Sequence, residues 1–361
     1  MSIKTFSMQS VVGIGSVRLD DFGLGGLARG RGDGARSVPH VVAFDEVEYL
    51  VGAGVERYAT PIERMDLARL TDSPELRALL YAALAQLTRG METGEGAETA
   101  PLRPLALNVG LPVEVVMDKA LLGEVARGMD RWLVGHHQFA LDGVEVALDV
   151  ATVRAKYSQP AGALFDFVYS DTLKVANRLK GAWVLVVDEG FNTLDVIATG
   201  DQQQKVSGGV RKGMRRASEI LVEGVTRKWR VDDLSLAEAD ALVRAAVDGR
   251  KAWLPVHGKL TDITADVRQA VDALAAEVVR FVESRIGDGG RFDILLTGGG
   301  AIALRDRLVR RWPHARMAGN DPVMANARGF CKIAMTKEPE AGVRVVGVDP
   351  GFGAIKLAMW G

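Results

Sequence analysis

Short apolar runs and longer amphipathic segments alternate along most of this chain. Apolar runs that end in glycine-containing turns predict strands, and apolar residues that recur every three or four positions predict helices. Predicted strand–turn–strand units lie at 40–54, 139–157, 183–200 and 346–361, with short strands in 1–20 and a buried strand at the start of 102–116. Predicted helices lie at 73–90, 119–133, 161–179, 264–286 and 321–334, after the glycines at 298–300, and across 207–250. This alternation indicates an α/β fold.

The composition excludes several classes of protein. The 361 residues suffice for roughly two domains, and they are 48% hydrophobic and 25% charged with a formal net charge of −1. Such a balance shows no overall bias toward nucleic acids or acidic membranes. The longest apolar runs, such as 183–187, fall far short of a membrane helix, and no secretory leader is expected. Cys331 is the only cysteine, which excludes an internal disulfide and a cysteine-rich zinc site and predicts a cytoplasmic location.

Three glycine turns stand out because each directly follows an apolar strand. Their residues are Asp349, Gly351, Phe352, Gly353 and Lys356 in the first, Asp188, Gly190, Phe191, Asn192 and Thr193 in the second, and Gly298, Gly299 and Gly300 in the third. Glycines in a tight turn can direct successive backbone N–H groups toward phosphate oxygens. The third turn opens a helix, where a nucleotide can approach the backbone closely.

Asp349 and Asp188 each end a strand just before a turn. Two such carboxylates could hold a hydrated Mg²⁺ between them. Each motif alone is also compatible with an ordinary turn, and it is their combination in one chain that favours a nucleotide site.

These motifs together resemble the actin-like ATPase family, within the larger group that includes sugar kinases and heat-shock chaperones. "VVGVDPGFGAIKLA" is similar to the family's phosphate-1 hairpin, "VLVVDEGFNTLDVIA" to phosphate-2 and "ILLTGGGAIAL" to the adenosine motif. "SQPAGALFDF" and "PVMANARGF" are similar to the two connecting helices. "LALNVGLPVEVV" adds to a likeness with ParM-type plasmid-segregation actins and archaeal actin-like proteins.

The resemblance implies an actin-like fold of two ribonuclease-H-like domains that flank a nucleotide cleft. Domain I is expected to combine 1–162 with 323–361, including a small subdomain near 11–100. Domain II is expected to span 163–322, including a small subdomain near 205–290.

The resemblance also implies roles for the matching residues. Asp349 and Asp188 would orient Mg²⁺ through its waters, and Lys356 with the hairpin amides would hold the β- and γ-phosphates of ATP or GTP. Gln159 stands where the family carries its water-positioning Gln or Glu, although it could instead cap the helix that begins near Pro160. The predicted catalytic residues are therefore Gln159, Asp349 and Asp188. Bulky residues at turn positions that are often small in the family bear on the rate of hydrolysis: Pro350, Phe352 and Phe191.

The order of the motifs departs from that of the family. There, phosphate-1 precedes the other motifs, whereas here it follows the second connecting helix. The chain therefore resembles a circular permutation, cut between the second and third strands of the first sheet. This interpretation predicts that Met1 and Gly361 lie on adjoining strands and that 337–342 forms an exposed linker.

By resemblance, the expected function is that of a nucleotide-hydrolysing, filament-forming cytoskeletal protein. Its main partner would be itself, and a DNA-binding adaptor would connect it to a plasmid if it segregates DNA. Direct binding to membranes or nucleic acids is not expected. The alternative is a non-polymerising small-molecule kinase of the same superfamily, while a chaperone would need a substrate-binding domain for which no residues remain.

Three other patterns remain open. "GLGGLA" at 23–28 matches a dinucleotide-binding expression but follows no buried strand, which favours a loop. His136 and His137 lack acidic or thiol partners nearby in the sequence, which favours a turn over a metal site. The basic stretch at 211–216 could contact the nucleotide, DNA or a neighbouring subunit, or form a solvated face.

Overall fold

The computed structural model describes residues 2–15, 38–62, 71, 73–89, 103–176, 183–200, 203–337 and 340–361. They form two compact units. Unit 1 comprises Met1–Gly110, Lys119–Lys156 and Phe330–Gly361, and unit 2 comprises Leu111–Asp118 and Tyr157–Gly329. Among the described residues, no helix is both long and apolar enough to cross a membrane.

The strands and helices of the described residues follow in chain order. The strands are β1 (Ile3–Gln9), β2 (Val12–Ile14), β3 (His40–Phe44), β4 (Val47–Val51), β5 (Leu105–Leu111), β6 (Gly135–Leu141), β7 (Val144–Ser158), β8 (Trp183–Glu189), β9 (Leu194–Gly200), β10 (Gln203–Val210), β11 (Trp253–Val256), β12 (Lys259–Asp262), β13 (Asp293–Thr297), β14 (Arg316–Met317), β15 (Arg344–Pro350) and β16 (Ala354–Trp360). The helices are α1 (Pro74–Arg89), α2 (Val113–Met117), α3 (Lys119–Leu133), α4 (Gln159–Val168), α5 (Arg215–Trp229), α6 (Leu236–Val247), α7 (Thr264–Ile286), α8 (Gly299–Arg311) and α9 (Ala325–Met335), with a short 3-10 helix at Val55–Arg57.

Unit 1 is built on a mixed sheet. Its described strands lie in the order β1-β16-β15-β5-β7-β6-β3-β4-β2. The pairs β1–β16 and β16–β15 are antiparallel, while β15 and β5 are parallel. Helix α1 packs on this sheet with most of its apolar residues buried, and the Leu76 N–H donates to the Ser73 hydroxyl at its start. Local capping and burial of an apolar face together explain why 74–89 is helical.

The two ends of the chain meet in this sheet. Ile3 is paired with Trp360 and Gln9 with Ala354, and the Gly361 N–H donates to the Ser2 carbonyl at 3.1 Å. The predicted pairing of the end strands is therefore confirmed for residues 2–9, while Met1 lies outside the described residues. Of the predicted linker, 337 and 340–342 are exposed and 338–339 lie outside the described residues. That the chain is a circular permutation stays a prediction.

Unit 2 is built on a second sheet, whose described strands lie in the order β10-β9-β8-β13-β14. Side chains alternate between its two faces, as strand geometry requires. Leu185 and Val187 of β8 belong to a large core shared with α5, α6, α7 and α8. Val184 and Val186 face the opposite side, where the core includes Phe167 of α4. The hairpin β11–β12 forms a separate two-stranded sheet.

Two helices match their predicted bounds because their signals are local. Helix α3 spans 119–133 and α7 spans 264–286, as predicted. The capping box of Ser235 and Glu238 is also present at the start of α6. Each of these helices has an apolar face, and the capping box of α6 and Gly287 at the end of α7 are terminal signals that are readable in the sequence.

The helix predicted over 161–179 was wrong for residues 169–176, and 177–179 lie outside the described residues. Helix α4 ends at Val168, and Tyr169 forms an isolated bridge with Val175. The Ser170 hydroxyl accepts hydrogen bonds from the N–H groups of Thr172 and Lys174, and this turn competes with the helix.

The helical stretch predicted across 207–250 was wrong at its start. Residues 207–210 belong to β10, which pairs antiparallel with β9, and the first helix begins at Arg215. Gly208 and Gly209 disfavour a helix, and pairing with a buried strand determines the local structure instead.

The units differ from the predicted domains in three segments. Residues 111–118, 157–162 and 323–329 belong to unit 2, whereas the predicted domain I included them. Close packing explains part of this difference, because a methyl group on Gly162 of α4 would lie 2.5 Å from the Asn326 carbonyl oxygen. The finer division into small subdomains stays a prediction.

Candidate functional site

In unit 1, the predicted phosphate-1 motif forms the hairpin of β15 and β16. Asp349 and Lys356 face each other across it, and the Lys356 Nζ donates to the Asp349 Oδ2 at 2.8 Å. The Asp349 side chain is 1% exposed and that of Lys356 is 15% exposed. The hairpin therefore holds a buried ion pair directly behind its glycine turn.

The end of β1 supports the phosphate-1 turn. The Ser10 hydroxyl donates to the Gly351 carbonyl at 2.6 Å, and the Ser10 N–H donates to the Gly353 carbonyl at 3.2 Å. The Gly351 carbonyl and the Phe352 N–H belong to the same trans peptide group and point in opposite directions. The N–H of Phe352 is therefore directed away from Ser10. Sequence reasoning missed Ser10, since no local signal links it to a turn 341 positions away.

In unit 2, the predicted phosphate-2 motif forms the hairpin of β8 and β9. Asp188 is paired with Asp195 across the strands. The turn closes through a 2.8 Å hydrogen bond from the Gly190 N–H to the Thr193 carbonyl. The Thr193 hydroxyl donates to the Asp195 Oδ2 at 3.0 Å, which adds Asp195 to the residues that the sequence singled out.

The carbonyl groups of this turn are bound by the start of α5. The N–H groups of Met214, Arg215 and Gly213 donate to the carbonyls of residues 190, 191 and 192, at 3.1, 2.8 and 3.1 Å. Because C=O and N–H point in opposite directions across each trans peptide, the N–H groups of 191–193 are directed away from α5. Three successive N–H groups on one side of a turn form an anion-binding arrangement.

Three carboxyl groups surround the base of this turn. Burial, with a further contribution from Asp188, raises the pKa of Asp195 to about 7. Burial also raises the pKa of Glu189 well above its usual range, and repulsion from Asp188 and Asp195 adds to this effect. The site is therefore short of positive charge, and a bound cation would be stabilised there.

The predicted adenosine motif lies beside the same strand. Gly298 has φ of 86°, and a methyl group there would overlap the Glu189 carbonyl and lie 2.6 Å from the Asp188 Oδ1. The two glycines that follow begin α8, and a methyl group on Gly299 would have no neighbouring atom within 4 Å. Gly298 thus permits close packing on Asp188, while Gly299 leaves space at the start of α8.

Gln159 is the first residue of α4 and is half-buried. The residue at the N-cap position is Ser158, so the interpretation of Gln159 as the cap of this helix was wrong. Gln159 and Asp188 belong to the same unit, whereas Asp349 and Lys356 belong to the other. The joint action of the two hairpins on one nucleotide stays a prediction.

The residues that the sequence assigned to Mg²⁺ fit a hydrated ion. Their carboxylate oxygens are the hard donors that Mg²⁺ prefers, and Asp188 lies beside two further carboxyl groups. Within the described ranges, no three His, Cys, Asp or Glu side chains form a cluster that could ligate a metal directly.

The turn predicted at His136 and His137 was wrong, because both residues lie in β6 and pair with β7. The His137 Nε2–H donates to the Leu133 carbonyl at 2.7 Å, which leaves Nδ1 to accept from the Tyr81 hydroxyl at 2.8 Å. Acidic side chains neutralise part of the basic stretch: Lys212 pairs with Glu277 at 3.1 Å, and Arg216 pairs with Glu219 at 3.3 Å. The glycines at 23–28 lie outside the described residues.

Two family models match this chain. The N-terminal domain of actin-like proteins matches residues 2–162, and the C-terminal domain of archaeal MreB-like actin homologues matches residues 186–310. No curated protein matches the chain by sequence.

Solved structures share the fold at low identity. A 15-stranded ParM filament from Clostridium botulinum is 18% identical with a TM-score of 0.66, covering 91% of this chain and 92% of that one. The archaeal actin homologue Ta0583 is 15% identical with a TM-score of 0.62, covering 92% of each chain. Its complex with ADP is 15% identical with a TM-score of 0.60, covering 83% of this chain and 89% of that one. The solved structures share the fold, and the two matched models, which together cover most of the chain, show that it belongs to the actin-like protein family.

Proposed function

We propose that this protein binds and hydrolyses ATP or GTP with Mg²⁺ and assembles into filaments made of copies of itself. The observation that carries the proposal is the phosphate-2 turn, whose three successive N–H groups are directed away from α5 beside the carboxylates of Asp188 and Asp195. Such a turn binds phosphate oxygens, and the adjacent carboxylates bind the cation that accompanies them.

The phosphate-1 hairpin would bind the same nucleotide from unit 1. The N–H of Phe352 in its turn is directed away from Ser10, and Lys356 would add a positive charge toward the β- and γ-phosphates. The Lys356 ammonium already neutralises Asp349 and would be shared between this carboxylate and the phosphates. Gly351, Gly353, Gly190, Asn192 and Thr193 would complete the two phosphate-binding turns.

Hydrolysis would depend on positioning and electrostatics rather than on covalent chemistry. When bound, Mg²⁺ would neutralise phosphate charge, with Asp188 and Asp349 accepting hydrogen bonds from its waters. Gln159 would orient the attacking water through its side-chain amide. The glycines at 298–300 would let the nucleoside approach the start of α8.

Filament formation is supported by the relatives. One neighbour of the same fold is a ParM filament, and an archaeal neighbour binds ADP. We propose the same behaviour here, in the cytoplasm, with a DNA-binding adaptor as a partner if the filament moves a plasmid.

The test combines thermal stability with sedimentation. Because a ligand that binds the folded state raises the melting temperature, ATP or GTP with Mg²⁺ should stabilise the wild type. Asp188→Ala and Asp349→Ala should each reduce that shift, and wild-type protein should pellet after nucleotide addition.

Asp166→Ala is the matched control. Asp166 is also a buried aspartate in an ion pair, with Arg328, but it lies outside the glycine turns. Without nucleotide, Asp166→Ala should have a lower melting temperature than the wild type. Nucleotide with Mg²⁺ should still raise that melting temperature by as much as in the wild type. An unchanged melting curve of the wild type at millimolar ATP and GTP would refute nucleotide binding, and binding without pelleting would refute assembly.

A further inference from the structure

We propose that Asn326 is a positioning residue that holds the Asp188 carboxylate in the orientation needed for Mg²⁺-nucleotide. This inference rests on the proposed function and adds a residue from α9 to the phosphate-2 site. Neither the turn motifs nor their spacing points to it.

The contact between the two side chains is direct and buried. The Asn326 Nδ2 donates to the Asp188 Oδ2 at 2.8 Å, and the two residues are 4% and 7% exposed. An ionised carboxylate only accepts hydrogen bonds, so the amide must present its NH₂ group to Asp188. The donor therefore stabilises the charged form of Asp188 in a place that water hardly reaches.

The surroundings of Asp188 make this donor important. Asp195 is its partner across the hairpin, and Glu189 follows it in the chain, so two further carboxyl groups lie close by. On the other side, Gly298 packs so closely that a methyl group there would lie 2.6 Å from the Asp188 Oδ1. One carboxylate oxygen is thus limited by packing, while the other is held by Asn326.

The backbone of Asn326 is itself held in place. It lies in the first turn of α9, and Gly162 of α4 approaches so closely that a methyl group would be 2.5 Å from the Asn326 carbonyl oxygen and 2.9 Å from its Cα. A side chain that starts from such a fixed backbone has little freedom to follow a displaced carboxylate. Asn326 is therefore suited to set the position of Asp188 rather than to adapt to it.

Helix formation does not explain the choice of asparagine. Asparagine is a weak helix former, and its side chain here bonds to a strand 138 positions earlier in the chain. The interaction with Asp188 supplies the physical reason for an amide at this position.

The contact also connects the proposed cation site with the proposed catalytic residue. Gly162, which packs against Asn326, follows Gln159 by three positions on α4, within one helical turn. Asn326 thus touches both the carboxylate at the end of β8 and the helix that carries Gln159. Loss of the Asn326 amide should disturb the contact with Asp188 and leave the packing against α4 in place.

The test measures nucleotide affinity as a function of Mg²⁺ concentration, with a fluorescent ATP or GTP analogue. Partners that orient metal-binding groups typically contribute about 10-fold or more to metal affinity. Asn326→Ala should therefore raise the Mg²⁺ concentration for half-maximal binding about 10-fold, and should leave the weak binding measured in chelator unchanged. Asn326→Asp keeps the size but loses the donor, and it should show a defect at least as large.

Asn108→Ala is the matched control. Asn108 is also a buried asparagine, but its Nδ2 donates to the Phe330 carbonyl at 2.8 Å instead of to a carboxylate. Its loss should lower the melting temperature without changing the Mg²⁺ dependence. If Asn326→Ala does not fold, Asn326→Leu, which is similar in size to asparagine and has no donor or charge, provides the same comparison.

A double-mutant cycle identifies the route of the effect. If Asn326 acts through Asp188, then Asn326→Ala should add nothing to the Mg²⁺ defect of Asp188→Asn. Additive defects, or a wild-type Mg²⁺ dependence in both Asn326 variants, would overturn the positioning role of Asn326 but not the proposed function. A wild-type protein that binds no nucleotide at any Mg²⁺ concentration would overturn the proposed function, and this inference with it.

Discussion

Gly361 donates its backbone N–H to the carbonyl oxygen of Ser2 at 3.1 Å, which places the last and first described strands side by side. Seven residue pairs, from Ile3 with Trp360 to Gln9 with Ala354, continue this contact along β1 and β16. A covalent connection between 361 and 2 would therefore need only a few added residues and no rearrangement of the sheet.

We therefore expect a rearranged chain to fold. If Gly361 is joined to Ser2 by a short linker and the chain is opened within 337–342, the melting temperature should stay within a few degrees of the wild type. The control variant has the same linker between Gly361 and Ser2, but its chain is opened inside α1. It should not fold, because that helix is buried on the sheet. Loss of folding in the first variant would contradict the circular permutation.

The buried ion pair of Lys356 and Asp349 leads to a stability prediction. Removing one partner leaves a buried charge, so Lys356→Met should destabilise the protein by about 3 kcal/mol. Adding Asp349→Asn removes that charge and should restore much of the loss. Chemical denaturation without nucleotide measures both effects, and a double variant no more stable than Lys356→Met alone would contradict them.

The raised pKa of Asp195 predicts that the stability of the protein depends on pH. Its folded-state pKa of about 7 lies above its ordinary value of 3.8, so the folded protein retains a proton that the unfolded chain has lost between these pH values. The free energy of unfolding should therefore fall as pH rises through this window, by about 1.4 kcal/mol per pH unit from this group, and level off above it. The raised pKa of Glu189 acts in the same direction.

Asp195→Asn should remove one part of that slope. Its amide oxygen can still accept from the Thr193 hydroxyl, so the turn should keep its geometry. The free energy of unfolding, measured from pH 5 to pH 8 without nucleotide, should fall less steeply in the variant than in the wild type. Parallel slopes would show that Asp195 is already ionised across this range.

Much of the fold was predictable because its signals are local. Helices α3 and α7 and the hairpins at 183–200 and 346–361 show apolar periodicity, and they lie where the sequence predicts them. Glycines mark the end of α7 and the turns of both hairpins. The errors fall where a helix competes with another local arrangement. Pairing with the preceding strand β9 makes 207–210 a strand, and a hydrogen-bonded turn at Ser170 ends α4 early.

In the proposed site, both aspartates and the three glycine turns stand out in short motifs, because such turns depend on adjacent residues. Their role in nucleotide binding stays a prediction. Ser10 and Asn326 were missed, since each acts on a partner far away in the chain, at separations of 341 and 138 positions. Only tertiary structure brings such pairs together, and a single sequence carries no local trace of them.

The last prediction separates hydrolysis from assembly through Gln159. This residue is the first of α4, and Ser158 stands at the N-cap position. An amide can orient a water but is too weak a base to remove its proton alone, so its contribution should be positional. Gln159→Ala should slow phosphate release on the order of 10²-fold while nucleotide binding and pelleting persist.

The control for this variant is Ser158→Ala, at the N-cap position of the same helix, where the serine side chain makes no capping hydrogen bond. It should leave the hydrolysis rate per folded molecule unchanged. Phosphate release and sedimentation are measured on the same samples, and filaments of Gln159→Ala should persist longer because their nucleotide is consumed more slowly. Wild-type turnover in Gln159→Ala would show that another group positions the water, whereas loss of pelleting together with turnover would place Gln159 in nucleotide binding.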